Sequence, residues 1–129
     1  MALLHEDITS GIINAFYDVY NELGYGFAEK VYENAMVIEL RSRGFEVAPQ
    51  SPITVYFKGN IVGDYYADFV VNGCVIVELK AAETMTSAHI TQLQNYLKAT
   101  GIYVGLLLNF GKKPQFERKV FESARSDPR

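Results

Sequence analysis

Cysteine is almost missing from this chain. Cys74 stands alone, so no internal disulfide can form and no cysteine-based metal site can be assembled. A reducing, cytoplasmic setting is the default expectation. No apolar run approaches membrane-spanning length. The start, MALLHEDITSG, has acids where a secretory signal carries its apolar segment, which argues against export. Basic charge is also in short supply. There are 12 Lys and Arg against 15 Asp and Glu, a formal net charge of −3. A protein that coats nucleic acid indiscriminately would be basic. The local excess in GKKPQFERK reads as a solvated loop and an edge strand. Repeats, low-complexity segments and interdomain linkers are absent too. The 129 residues, 49% of them apolar, therefore read as one ordered domain with its core between about residues 8 and 120.

Periodicity supplies the elements. Ile8, Ile12, Phe16, Val19 and Leu23 recur at helical spacing, with Thr9 or Ser10 helping near the start. Gly24, Tyr25 and Gly26 break that helix. A second helix follows from about Ala28 to Arg43 and stops at Gly44. Short strands come next: FEVAPQ, PITVYFKG with a turn at Gly59-Asn60, VGDYYADFVV, and the apolar CVIVELK. TSAHITQLQNYLKAT is a helix capped at Thr86 or Ser87 and ended by Gly101. YVGLLLNF is a further apolar strand, and QFERKVF an edge strand. This order predicts an α/β fold with a mixed sheet in which VIVELK and YVGLLLNF run parallel.

One feature conflicts with this apolar pattern. Asp68, Glu78 and Lys80 sit inside the most strand-like segment, DYYADFVVNGCVIVELK, although a buried uncompensated charge costs several kcal/mol. Alternation puts Glu78 and Lys80 on one face of their strand and Asp68 beside Tyr66 and Val70 on its own. Whether the acids share a face depends on the turn. A two-residue Asn72-Gly73 turn separates them. A three-residue loop over 71–73 with a bulge at Gly73 opposes Asp68 to Ile76 and leaves Glu78 a diagonal neighbour, about 7–8 Å away. In that register two carboxylates on rigid strands suit Mg²⁺ or Mn²⁺, and Lys80 is placed to handle a water or a phosphate. Taken alone, the same charges fit an ordinary structural ion pair of Lys80 with Asp68 or Glu78 equally well.

Two helical patterns tilt that balance. His89, Gln92 and Tyr96 form a stripe on the helix after Lys80, from which Gln92 and Tyr96 can reach a phosphate backbone. In isolation they read as a solvated face, and His89 as a surface residue. In GFAEKVYENA, Glu29 and Glu33 share a helix face beside Tyr32, and either can add a third acid.

These residues, taken together, carry a family resemblance. Gly26, Glu29 and Tyr32 resemble the signature of the small GxxExxY proteins. Asp68 with Glu78-Leu79-Lys80 resembles the core of the PD-(D/E)XK nucleases. Gln92 and Tyr96 resemble the Gln-x-x-x-Tyr element of recombination-type exonucleases. The resemblance runs from about Ile8 to Val120, with Ala67 where the name-giving motif has proline. It implies a restriction-endonuclease-like sheet of about four core strands flanked by helices, and metal-dependent hydrolysis of phosphodiesters, with DNA the expected substrate. It further implies Asp68, Glu78 and the Leu79 carbonyl as ligands of Mg²⁺ or Mn²⁺. Lys80 is then the catalytic lysine, Glu29 the helix carboxylate, and Gln92 and Tyr96 the nucleic-acid contacts. Glu33, Tyr32 and His89 stand behind them. A non-catalytic module that binds nucleic acid or protein is the alternative, and a homodimer is compatible with the nine tyrosines.

Overall fold

The computed structural model describes residues 4–121. Two helices come first, α1 (Glu6–Leu23) and α2 (Glu29–Ser42). They are followed by β1 (Val47–Phe57), β2 (Asn60–Val71), β3 (Val75–Lys80), α3 (Ser87–Thr100), β4 (Val104–Phe110) and β5 (Pro114–Val120). The strands form a five-stranded sheet in the order β1-β2-β3-β4-β5. All neighbours are antiparallel except β3 and β4, which run parallel on either side of α3, as the apolar runs predict. No helix among the described residues is long and apolar enough to cross a membrane.

The sheet separates two cores. Ile12, Phe16 and Val19 of α1 and Tyr32, Met36 and Leu40 of α2 pack on Phe69, Val71, Val75, Val77 and Leu79. On the other face Leu93, Tyr96 and Leu97 of α3 pack on Ile53, Ala67, Val70, Ile76 and Leu107. The helix α3 lies so close to β4 that a Cβ on Gly105 would stand 2.7 Å from Leu93 Cδ1.

Local chemistry explains the boundaries, with corrections to the sequence reading. At α3 the Thr86 hydroxyl accepts from the His89 N–H and His89 Nδ1 accepts from the Thr86 N–H, a reciprocal cap. Gly101 ends that helix in the left-handed region, as expected. At α1 neither Thr9 nor Ser10 caps. The cap position is His5, with no side-chain bond, and the Thr9 hydroxyl donates back to the His5 and Glu6 carbonyls. FEVAPQ and PITVYFKG are one strand, not two. The tip of its hairpin is Lys58-Gly59 rather than Gly59-Asn60, since Phe57 pairs with Asn60 and both tip residues have positive φ.

The β2–β3 turn combines features of both sequence alternatives. Asn72 and Gly73 both have positive φ, and the Cys74 N–H donates to the Val71 carbonyl, as in a two-residue turn. Cys74 is then skipped, so Val71 pairs with Val75 rather than with Cys74. The loop is therefore 72–74, not 71–73. Phe69 pairs with Val77, so the register aligns Asp68 with Glu78 itself instead of Ile76. Asn72 is held in place from outside: its N–H donates to the Glu46 carbonyl and its side-chain oxygen accepts from the Glu46 N–H.

Candidate active site

The acids meet where two strands depart from simple alternation. Phe69 packs towards α1 and α2 whereas Ala67 packs towards α3, so β2 exchanges faces at Asp68. Its partner does the same: Val47 faces one core and Ile53 the other, and between them Gln50 has a φ of 49°. The ladder pairs Pro49 with Phe69 and Ser51 with Ala67, with Gln50 and Asp68 facing across the gap. A strand bent this way frees backbone groups for side chains. The Asp68 N–H donates to Glu78 Oε2 at 2.8 Å, and the Leu79 N–H donates to Asp68 Oδ2 at 2.7 Å. Each carboxylate thus closes the gap in the ladder with one oxygen. Asp68 Oδ1 and Glu78 Oε1 accept no hydrogen bond among the described residues.

Electrostatics make the pair deficient in positive charge. Glu78 is 5% exposed. Burial, reinforced by the neighbouring Asp68 charge, pushes its carboxyl up to about 8. Burial also raises the Asp68 carboxyl, with Glu33 and Glu29 adding to the effect. Lys80 attracts both acids from the end of β3 but forms no ion pair with either among the described residues. The structural ion pair is therefore not the reason these charges are here. Two half-saturated oxygen donors, both made harder to ionise by burial, fit a divalent cation. Among the described residues no three of His, Cys, Asp and Glu converge into a ready-made cage, so backbone oxygen and water must complete any coordination.

The remaining expected residues separate into several roles. Glu29, at the start of α2, is exposed, yet its charge acts on both Asp68 and Glu78. Glu33 is 6% exposed and accepts from Lys30 Nζ at 3.2 Å and from Gln50 Nε2 at 3.0 Å. Tyr32 does not present its hydroxyl to the acids. It donates to the Gly24 carbonyl and accepts from the Phe27 N–H, while its ring stacks on Phe110 at 4.2 Å. The tyrosine of the Gly-x-x-Glu-x-x-Tyr pattern is thus a brace that fixes the loop ahead of Glu29. His89 is likewise occupied with capping α3. Tyr96 is buried rather than on a solvated stripe, and burial together with Glu78, Tyr65 and Asp68 raises its hydroxyl. Gln92 is half-buried one turn earlier.

Two contributors were not singled out from sequence. Gln50 carries no pattern that marks it. Asn109, a fully buried polar residue closing the apolar strand β4, did offer a signal. Its side chain accepts from the Ala82 N–H and donates to the Ala82 carbonyl, both at 2.9 Å, and so fixes the chain just beyond Lys80. Gly111 permits the approach, since a Cβ there would lie 2.3 Å from the Ala82 oxygen.

A mixed sheet whose central strand ends in an acid and a lysine, with a second acid aligned on its neighbour, defines an α/β protein of the restriction-endonuclease type. The chain belongs to the PD-(D/E)XK nuclease superfamily, whose family model matches residues 6–120. Among solved structures it is similar to SSO0001, with a TM-score of 0.58 and 14% identity over 71% of this chain. The chain spans about half of that protein's length, 49%. It is also similar to an alkaline exonuclease from Laribacter hongkongensis, with a TM-score of 0.55 and 12% identity over 97% of this chain and 74% of that one. A comparison with curated protein sequences gives no match.

Proposed function

We propose that this chain is a divalent-metal-dependent nuclease of the GxxExxY kind that hydrolyses phosphodiester bonds in DNA, as a single domain working in the reducing cytoplasm. The observation that carries the reading is the Asp68–Glu78 pair: two aligned acids, each with one oxygen in the ladder and one open. Membership of the superfamily supports the same reading.

Asp68, Glu78 and the Leu79 carbonyl would hold Mg²⁺ or Mn²⁺, with Glu29 completing the site. When bound, the cation supplies Lewis-acid stabilisation of the phosphate and a water of lowered pKa. The chain's own residues do the rest. The hydrogen bonds from the Asp68 and Leu79 N–H groups orient the two carboxylates before any ligand arrives. Lys80 stabilises negative charge growing on the phosphate oxygens and keeps the attacking water hydrogen-bonded. Gln92 and Tyr96 contact the strand being cut.

A second reading is a non-catalytic binding module, and the lack of a three-ligand cage among the described residues favours it. The two are separated by incubating single- and double-stranded DNA and RNA with the protein in Mg²⁺ or Mn²⁺, beside Lys80→Ala. The nuclease reading expects cleavage that the variant loses. Absence of cleavage, together with a melting temperature unmoved by millimolar metal, establishes the module instead.

A further inference from the structure

A groove of about 1050 Å³ lies between the β1–β2 hairpin and α3, outside the pair of acids. Tyr56 and Tyr65 line it from the hairpin, and Gln92, Asn95, Tyr96 and Lys98 from the helix. We propose that this groove holds one unpaired DNA strand, stacking its bases on Tyr56 and Tyr65 and leading it towards Asp68 and Glu78. The proposal deepens the nuclease reading and rests on it for what happens at the acids, though not for the binding itself.

Charge selects the class of occupant. The chain has a net charge of −3. Yet the groove's lining residues include no Asp or Glu. A polyanion meets less repulsion here than over the chain as a whole. The walls join the rings of Tyr56, Tyr65 and Tyr96 to the amides of Gln92 and Asn95 and the hydroxyls of Thr54, Ser87 and Thr91, so stacking surface and hydrogen-bonding groups for a nucleic-acid strand lie in one groove. Tyr56 is 63% exposed and Tyr65 47%, so both have ring surface available for stacking. Stacking needs bases that are free of a duplex, whose base faces are already covered. A groove of this volume also takes a few nucleotides of one strand rather than the width of a double helix.

Continuity supplies the direction. The rings of Tyr65 and Tyr96 lie 5.8 Å apart, inclined at 43°, so the groove's aromatic lining runs inward from the hairpin to the helix. Tyr96 in turn belongs to the same packed cluster as Ala67, the residue before Asp68. A strand laid along the groove therefore arrives beside the acids.

The test is fluorescence anisotropy with labelled oligo(dT) and its duplex, in EDTA so that binding is read without cleavage. The expected result is tighter binding of the single strand. Tyr65→Leu and Tyr56→Leu, shown by melting to be folded, should each weaken it about 5- to 100-fold, the loss of one stacked base. Tyr65→Phe should bind as wild type does. Should the leucine variants not fold, photocrosslinking of wild type to iodouracil-containing oligo(dT) should label Tyr56 or Tyr65. Preference for the duplex, folded leucine variants that bind like wild type, or crosslinks elsewhere would overturn the proposal. So would a dimer in sedimentation that Tyr65→Leu dissociates, since a second copy would then fill the groove. Tyrosine-dependent binding without cleavage in Mg²⁺ or Mn²⁺ sinks the nuclease reading and leaves the groove standing.

Discussion

Asp68 donates its backbone N–H to the carboxylate of Glu78, while its own carboxylate accepts from Leu79, the residue after Glu78. Each acid is thus oriented by the other's strand. The arrangement replaces ladder hydrogen bonds with charge-bearing ones at the point where β1 and β2 exchange faces. Rigid backbone donors hold the oxygens, so the geometry needs little adjustment when a cation is bound. What the pair lacks without metal is positive charge.

That deficit has a pH signature. The Glu78 carboxyl is raised from 4.5 to about 8, and that of Asp68 is raised as well. Below the unfolded value both states hold the proton and stability is unaffected. As pH rises through that value, the unfolded chain ionises while folded Glu78 stays protonated, so the folded state binds more protons and stability falls. The decline continues to about pH 8 and then levels off, a loss on the order of a few kcal/mol. The metal-free melting temperature should therefore drop between pH 5 and pH 8. Mn²⁺ should reverse the drop, and its apparent affinity should strengthen with pH as protons cease to compete. Glu78→Gln should melt with a flatter pH profile and respond less to Mn²⁺. A metal-free profile that rises from pH 5 to 8 would contradict the electrostatic description of this pair.

Removing the acids or the lysine should separate chemistry from folding. Asp68→Asn and Lys80→Ala should each lower the cleavage rate by at least about a hundredfold, typical for loss of a group that stabilises transition-state charge. The metal-free melting temperature of Asp68→Asn should stay the same or rise, because that acid is an electrostatic burden to the fold, whereas that of Lys80→Ala should stay the same or fall, because Lys80 attracts both acids. Steady-state cleavage alongside calorimetry reads both effects on the same preparation.

The legibility of this fold follows from which contacts are local. Helix boundaries at Leu23 and Gly101, the parallel β3–β4 pair and the edge position of β5 follow from periodicity and stop signals within a few residues. Turns were harder, because Asn72-Gly73 has the conformation of a two-residue turn and yet Cys74 bulges out to change the register. That single residue decides whether Asp68 meets Val77, Ile76 or Glu78. Asp68, Glu78 and Lys80 stood out because charge is costly in an apolar hairpin. Gln50 did not stand out, since its role arises from facing Asp68 across a face exchange that no local pattern encodes. Tyr32 and His89 were recognised by type but not by role: their polar atoms serve the Gly24–Phe27 loop and the α3 cap.

Tyr32→Phe tests the brace directly. The ring's stacking on Phe110 is kept, and only the hydroxyl that serves Gly24 and Phe27 is lost. A stability loss of about 1–2 kcal/mol in urea unfolding is expected. Because that loop precedes Glu29, the variant should also need more metal for half-maximal cleavage. A change in stability alone would separate the brace from the site.

Asn109→Ala removes both hydrogen bonds to half-buried Ala82. The expected cost is about 1–3 kcal/mol, from two lost bonds. Asn109→Asp keeps the acceptor for the Ala82 N–H but turns an oxygen towards the Ala82 carbonyl. It should destabilise as much or more at neutral pH, and less at pH 4 where protonation restores a donor. Urea unfolding at both pH values measures the difference.

Gln50 joins a strained backbone to a useful side chain. Its φ of 49° suits glycine better than any branched or long residue, and its amide donates to both oxygens of buried Glu33. Gln50→Ala loses the amide and keeps the strain, whereas Gln50→Gly loses the amide and relieves it. Glycine should therefore be the more stable of the two by about 1 kcal/mol. If Gln50 mattered only as a bend, Gln50→Gly would bind Mn²⁺ as tightly as wild type does. The hydrogen bonds to Glu33, whose charge acts on Asp68, predict otherwise: both variants should show weaker apparent Mn²⁺ affinity, by a similar factor. Unfolding free energies and metal titrations of the two variants, side by side, distinguish the backbone contribution from that of the amide.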